Sequence, residues 1–551
     1  MDNRRIFLWA GLLFVYFVVY QTWVREQRGP QQVPTAEIAA DAPAIPGEVA
    51  PGDADLPALP DSEAAAAPQD LPGPSESRGP QISVRTDVFD LVIDTRGGDI
   101  RDVTLLEYPL RKSDPGDLVE LLHNGPGYLF EVHTGLRTRG SGEEPNHLAQ
   151  FSAAAESFVL EDGADELIVP LRWTNADGLV VEKIYRFRRG SYRVDLEYRV
   201  ENGTGAEIGA ASYVQLARSY APPKRSMTDV DSYSFIGPVF YDGRKYEKLD
   251  AEDIATEPVS AAVAGGWIAS IQHHFLAAVV PAAGETYTYN SGMRRGTVMQ
   301  SAIGPVKSLP PGASESFAET LFVGPKLQDQ LEATADGLKL TVDYGMLTII
   351  AQPLFWVLNW LHKLIGNWGW AIIFLTVLIK IAFYKLSETS GRSMAKMRKM
   401  QPRIKHLQER YADDRQGLSK AMMELYRKEK INPASGCLPI LIQMPVFIAL
   451  YWVLLESVEL RQAPWMLWID DLSVRDPFFI LPVLMGVTML IQQRLNPAPP
   501  DPVQAKIMMV LPIVFTVFFA FFPAGLVIYW FTNNLLSIAQ QWRINKLVGA
   551  D

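Results

Sequence analysis

Residues 370–384 read WAIIFLTVLIKIAFY, the centre of an apolar segment, 368–386, long enough to cross a bilayer. One cation, Lys380, sits inside it. Placing an ammonium at that depth costs from about 3 to well over ~10 kcal/mol, less if the side chain reaches the interface. Two readings follow. Lys380 lies five residues before Lys385, so its stem can snorkel to the headgroups. Alternatively, it faces a water-filled cavity between helices. Thr376 lies one turn away on the same helical face.

Further apolar segments follow at 436–456, 477–493, 506–522 and 526–545, with Pro523, Ala524 and Gly525 forming a tight turn between the last two. Between 387 and 433 the charge is strongly basic: Arg392, Lys396, Arg398, Lys399, Arg403, Lys405, Arg410, Arg415, Lys420, Arg427, Lys428 and Lys430 outnumber the acids. The loop 457–476 is acidic, with Glu459, Asp470, Asp471 and Asp476. The positive-inside rule puts the basic stretch in the cytoplasm and the acidic loop outside. Within 388–431, helix-forming Met- and Leu-rich stretches flank Asp413 and Asp414, which predicts an antiparallel helical hairpin. Such a surface suits lipid phosphates, ribosomal RNA or acidic proteins, or stands solvated without a partner.

Towards the N-terminus, residues 345–366 carry Trp356 and Trp360 together with Pro353, His362 and Lys363, and Trp368 and Trp370 follow. If this segment crossed the bilayer, the basic stretch would fall outside. It therefore reads as an amphipathic helix on the outer interface. Residues 81–344 show period-two alternation in ISVRTDVFDLVIDT and SYRVDLEYRVEN, broken by Gly and Asn turns, the pattern of a large all-β sandwich. His273 and His274 read there as strand residues, since no acidic or third His partner is near in sequence. Residues 26–80 form a Pro-, Ala- and acid-rich linker with too little apolar surface to fold. Residues 1–25 hold an uncleaved signal-anchor after Arg4 and Arg5. Six crossings result, five of them forming a core, with both termini inside.

The 551 residues carry a net charge of -11, with the acids concentrated before residue 345. The single cysteine, Cys437, excludes an intrachain disulfide and a cysteine metal site. No phosphate-binding loop, zinc-binding His pair or intramembrane Asp or Ser–His pair occurs. The reading is non-enzymatic, without cofactor, metal or small-molecule substrate. Polar side chains gather instead at one depth. Gln443 lies on 436–456, and Tyr529, Thr532, Asn533, Asn534, Ser537, Gln540 and Gln541 lie on 526–545, in the same inner half as Lys380. They either line a wet cavity or tie helices together by hydrogen bonds of about 1 kcal/mol each.

SMAKMRKMQPRI, NPASGCLPILIQMPVFIALYWVLLESVELRQAP, DPFFILPVLMGVTML and IMMVLPIVFTVFFAFFPAGLVIYW closely resemble the YidC-type membrane protein insertases of Gram-negative bacteria. The resemblance covers about 345–545, and the remaining layout is similar to theirs. It implies a sugar-mutarotase-like supersandwich in the periplasm, without that fold's chemistry. It also implies a five-helix groove open to cytoplasm and lipid, with its positive charge at Lys380, where many relatives have Arg. The implied function is insertion and folding of hydrophobic segments at the inner membrane, alone or with the Sec translocon. Substrate-contacting positions implied by the resemblance are Thr376, Phe447, Met485, Phe518 and Trp530. The implied partners are nascent membrane proteins, the ribosome, the Sec translocon with its accessory subunits, a targeting receptor and lipids. The alternatives are a non-translocating assembly scaffold, which would hold helices without moving them, and a transporter or channel, which would pass solutes.

Overall fold

The computed structural model describes residues 79–221, 234–411, 414–429, 438–495 and 502–549. The expected signal-anchor, all of the linker before residue 79, and Cys437 lie outside the described residues.

Residues 81–325 build two large sheets. The first, of eleven strands, has Ile208–Ser219 near its middle, antiparallel to Tyr128–Arg139 on one side and Thr297–Ile303 on the other. The second, of nine strands, centres on Arg193–Asn202, between Ser314–Pro325 and Leu179–Arg188. Alternation sorts the faces. Val194, Leu196, Tyr198 and Val200 point into the core, while Asp195, Glu197 and Arg199 face outward, where Arg193 bonds Asp195 (2.7 Å) and Arg186 bonds Glu197 (3.1 Å). The inner faces of the two sheets share one apolar core.

One ion pair crosses that core. Lys183, on the second sheet, meets Asp99, on the first, at 3.1 Å, and both side chains are fully buried. Lys183 Nζ also donates to the carbonyls of Gly97 (2.7 Å) and Thr134 (3.3 Å), and the Thr134 hydroxyl donates to Asp99 (2.7 Å). Burial by itself would raise the Asp99 carboxyl. The Lys183 ammonium and a hydrogen bond from His133 outweigh it and hold the group below its ordinary range. Gly97 and Gly98 make the sharp turn before Asp99 with positive φ, and a Cβ on Gly97 would strike the His147 carbonyl at 2.4 Å.

His273 and His274 are not strand residues. Pairing ends at Ile271 opposite Leu276, and the Gln272 N–H donates to the Phe275 carbonyl (2.8 Å), so the two histidines form the turn between those strands. Their rings stack 3.7 Å apart, and His273 Nε2 lies 2.9 Å from the Leu455 carbonyl at the end of a helix of the other half.

The helical half begins with Thr348–Ile365, capped by Gly366 in the left-handed conformation. Asn367 then caps Trp368–Ala382 by accepting from the Trp370 N–H (3.1 Å). At Phe383 the chain bends by 69° into Tyr384–Lys399, so the helix carrying Lys380 ends at Ala382 and not at 386. The remaining long helices are Leu438–Glu456, Ile480–Leu495, Pro502–Phe519 and Ala524–Val548. Among the described residues no single helix is both long and apolar enough to cross a membrane. The bent pair passes by length and composition, and three shorter apolar helices accompany it.

The expected two-helix hairpin is three helices. Tyr384–Lys399 is followed by Gln401–Arg410 and Arg415–Lys428. Pro402 lacks the N–H that would bond the Arg398 carbonyl, so the first arm breaks at Met400. Arg403 meets Glu429 at 2.9 Å, which sets the last two helices antiparallel. Tyr384–Lys399 packs on the C-terminal helix, with Gly391 against Ile544 and Gln541.

The β domain docks on the loop 457–476. Ser234 bonds Glu456 (2.8 Å), Tyr344 meets Ser457 (3.2 Å), and Arg461 and Gln462 each donate to the Pro109 carbonyl at 2.8 Å. Asp476 is buried there, accepting from Trp468 Nε1 and the Leu481 N–H (3.0 and 2.7 Å) as a cap for Ile480–Leu495. Glu459 accepts from the Gln328 N–H (3.2 Å), while its other oxygen is buried without a partner among the described residues. Burial pushes this carboxyl up to about 7.

Two predictions follow from these buried charges. Lys183→Met strands Asp99 and should cost about 3–5 kcal/mol in unfolding experiments, whereas Lys183→Met with Asp99→Leu recovers much of that loss. For Glu459 the docked carboxyl holds its proton up to about pH 7, against an ordinary value of 4.5. Its contribution to docking is therefore complete below pH 4.5 and lost as pH rises through 7. His274, held below its ordinary range by burial, titrates with the opposite sign, so the comparison is with Glu459→Gln. Hydrogen-exchange protection of 457–462 should be equal in the two proteins at pH 4.5 and lower in the native chain at pH 8.

Candidate functional site

Lys380 occupies the last turn of Trp368–Ala382, where unpaired carbonyls favour a cation. Its ammonium donates to Ser537 Oγ at 2.7 Å and to Asn533 Oδ1 at 3.3 Å, both on the C-terminal helix. Ser537 follows Asn533 by four residues, one helical turn, so both acceptors point the same way. Gln443, on Leu438–Glu456, donates to the same Asn533 oxygen (2.8 Å) and approaches the Tyr529 hydroxyl (3.4 Å). Side chains from three helices thus converge on one point. A small open cleft lies beside it, lined by Ile379, Lys380, Phe383, Leu386, Ser387, Ile442 and Gln443. Its walls are mainly apolar, and its polar lining is Lys380, Ser387 and Gln443.

An aromatic cluster packs one turn further along. Phe447 meets Trp530 edge-on at 4.6 Å and Tyr529 at 6.2 Å, and Phe519 joins from the next helix, 5.3 Å from Trp530. The Trp530 indole N–H is buried with no hydrogen-bond partner among the described residues. Asn534 turns to another neighbour, donating to Thr488 Oγ1 at 3.3 Å, while Thr488 donates to the Met485 carbonyl (2.6 Å).

The residues singled out in the sequence therefore separate. Lys380, Gln443, Asn533 and Tyr529 form one hydrogen-bonded group. Phe447 and Trp530 form its aromatic flank. Met485 is fully buried between helices. Thr376 is buried too, and its hydroxyl donates to Ile372 of its own helix (2.7 Å) and not toward Lys380. Phe518 stacks near Phe522 (4.6 Å) with half its surface exposed, outside the lysine group. Nothing local in the sequence marks Thr488 or Phe519 as part of this group. Ser537 was readable as one more polar residue of the last segment, but its closeness to Lys380 depends on helix packing.

The basic residues also divide. Arg392, Lys396, Arg398 and Lys399 ride on the helix packed against the bundle, where Arg398 donates to the Leu495 carbonyl (3.3 Å). Arg403 and Lys405 lie on Gln401–Arg410, and Arg427 and Lys428 end Arg415–Lys428. Among the described residues no group of His, Cys, Asp and Glu is placed to hold a metal.

The helical half, residues 360–550, matches the family described as 60Kd inner membrane protein, and residues 81–357 match the YidC periplasmic domain. The membrane protein insertase YidC of Thioalkalivibrio sulfidiphilus is 50% identical, with 99% of this chain and 98% of the relative covered. Those of Nitrosococcus oceani and Methylococcus capsulatus are 45% and 46% identical, each over 100% of this chain and 99% of the relative. This chain belongs to the YidC insertase family. The β sandwich is accordingly the YidC periplasmic domain, and the lysine network lies wholly inside the part matched as inner membrane protein.

The YidC core depends on close helix contact beside this site. Gly486 faces Thr516 so closely that a Cβ would lie 2.0 Å from Thr516 Oγ1. Thr516 is held in place by its bond to the Pro512 carbonyl (2.8 Å). Gly486→Val should separate Ile480–Leu495 from Pro502–Phe519 and cost about 1–3 kcal/mol, read as a lower unfolding midpoint in detergent.

Proposed function

We propose that this chain is a membrane protein insertase that moves the outer-going end of a nascent hydrophobic segment through the Lys380 cleft into the inner membrane, and assists its folding. The observation that carries this reading is the Lys380 ammonium, held by neutral groups at a cleft mouth between helices with apolar outer surfaces. On the Pro502–Phe519 helix alone, Met509, Val510, Ile513, Val514, Val517 and Phe518 are exposed. Such a surface is stable only against lipid.

Six segments cross, counting 1–25, and both termini are cytoplasmic. The basic helices after Phe383 stand in the cytoplasm, where Arg403, Lys405, Arg427 and Lys428 meet the ribosome, a targeting receptor or lipid phosphates. The Sec translocon and its accessory subunits share substrates with it. Thr348–Ile365 lies in the outer interface. One of its faces, Ala351, Phe355, Leu358 and Leu361, is buried on the protein, while Ile349, Trp356, Trp360 and Leu364 are exposed towards lipid.

The work is thermodynamic. Water and Lys380 give the polar end of a substrate a partial solvent inside the bilayer and shorten its low-dielectric path. The apolar stretch then enters lipid, stabilised by about 25 cal/mol for each Å² removed from water. Phe447, Trp530 and Phe518 supply the apolar route, with the buried Met485, Thr376 and Asn534 supporting its helices. This chemistry uses no nucleotide, cofactor or metal.

Purified protein in liposomes, given a two-span substrate with an acidic outer segment, should protect that segment from protease without other factors. Lys380→Ala should lower the yield about tenfold, and Lys380→Arg should preserve it. Equal yields for native and Lys380→Ala protein would remove the charge from the mechanism. Absence of insertion by the native protein, with its substrate still bound, would favour a scaffold.

A further inference from the structure

Resting on that reading, in which Lys380 meets acidic outer segments, we propose that Ser537 and Asn533 are positioning residues that hold the Lys380 ammonium without neutralising it. An ammonium has three donors. Among the described residues two are engaged, by the Ser537 hydroxyl (2.7 Å) and the Asn533 amide oxygen (3.3 Å). Both acceptors are uncharged, so neither cancels the charge of the ammonium, while the side chain is fixed in direction. The third donor serves a carboxylate entering the cleft beside Ile379, Phe383 and Ile442.

The acceptors are themselves held. Gln443 donates to the same Asn533 oxygen (2.8 Å), which keeps that oxygen, and not the amide nitrogen, turned to Lys380. The Ser537 hydroxyl donates to the Asn533 carbonyl one turn back (2.7 Å), which leaves its lone pairs for the ammonium. A carboxylate at 533 would satisfy the lysine more strongly than the amide does. It would also cancel the charge and compete with the substrate.

The test uses the full chain in liposomes with two substrates that differ by one Asp or Asn in the outer segment. The readout is the ratio of acidic to neutral insertion. Native protein should favour the acidic substrate. Asn533→Asp should lower the ratio roughly tenfold, to that of Lys380→Ala. Ser537→Ala should lower it by a smaller factor, and Ser537→Thr should restore it. Each variant is also treated with an amine-reactive probe over a pH series. Asn533→Asp should move the midpoint of Lys380 labelling to higher pH, since a neighbouring anion favours the protonated amine.

If Asn533→Asp and Ser537→Ala keep the native ratio and the native labelling midpoint, the positioning role is wrong. If native protein inserts neither substrate, the insertase reading fails instead. The labelling midpoints then still decide whether Asn533 and Ser537 hold the amine.

Discussion

A charged amine among apolar helices must be given partners, and the arrangement of the helical half around Lys380 answers that requirement. The bend at Phe383 ends its helix just beyond the lysine. The C-terminal helix presents Asn533 and Ser537 to it, and Leu438–Glu456 adds Gln443. None of these partners is an acid. A carboxylate in their place would pair with the ammonium and cancel its charge. The neutral network keeps the ammonium fixed and still positive, and a cleft opens beside it.

The buried cation of the β domain is handled in the opposite way. Lys183 and Asp99 neutralise each other completely at the centre of the sandwich, where nothing is meant to enter. Breaking the pair leaves a charge with no solvent. At the junction of the two halves the solution is intermediate. Glu459 is placed so that burial favours its protonated form, and the docking loop around it is fixed mainly by backbone carbonyls meeting Arg461, Gln462 and His273. Three buried ionisable groups therefore do three different things, because their nearest partners are respectively neutral, opposite in charge and nearly absent.

Much of this was legible in the chain. The alternation of Val194, Leu196, Tyr198 and Val200 marks a sheet, and the apolar runs mark the bundle. Lys380, Gln443 and the amides of the last segment could be placed at one depth by counting residues. The errors have local causes. His273 and His274 resemble strand residues because apolar β sequence flanks them on both sides, yet the hairpin must turn somewhere. The first arm of the basic hairpin looked continuous because its residues favour helix, but Pro402 withholds one hydrogen bond. Asp476 counts in the sequence only as one acid of the outer loop, and the structure makes it a buried helix cap.

By itself, the order of residues determined the two kinds of structure, sheet and helix, and the presence of a cation that apolar surroundings disfavour. Periodicity and transfer free energy act along the chain, so they can be read along it. Tertiary structure decided which side chain meets which. Thr376 shares a face with Lys380 but bonds its own helix, while Ser537, more than 150 residues away, takes the ammonium. Such choices depend on helix rotation and crossing, set by close contacts such as Gly486 on Thr516 and Gly391 on Ile544. Those contacts join segments distant in sequence, and no pattern within a single segment encodes them.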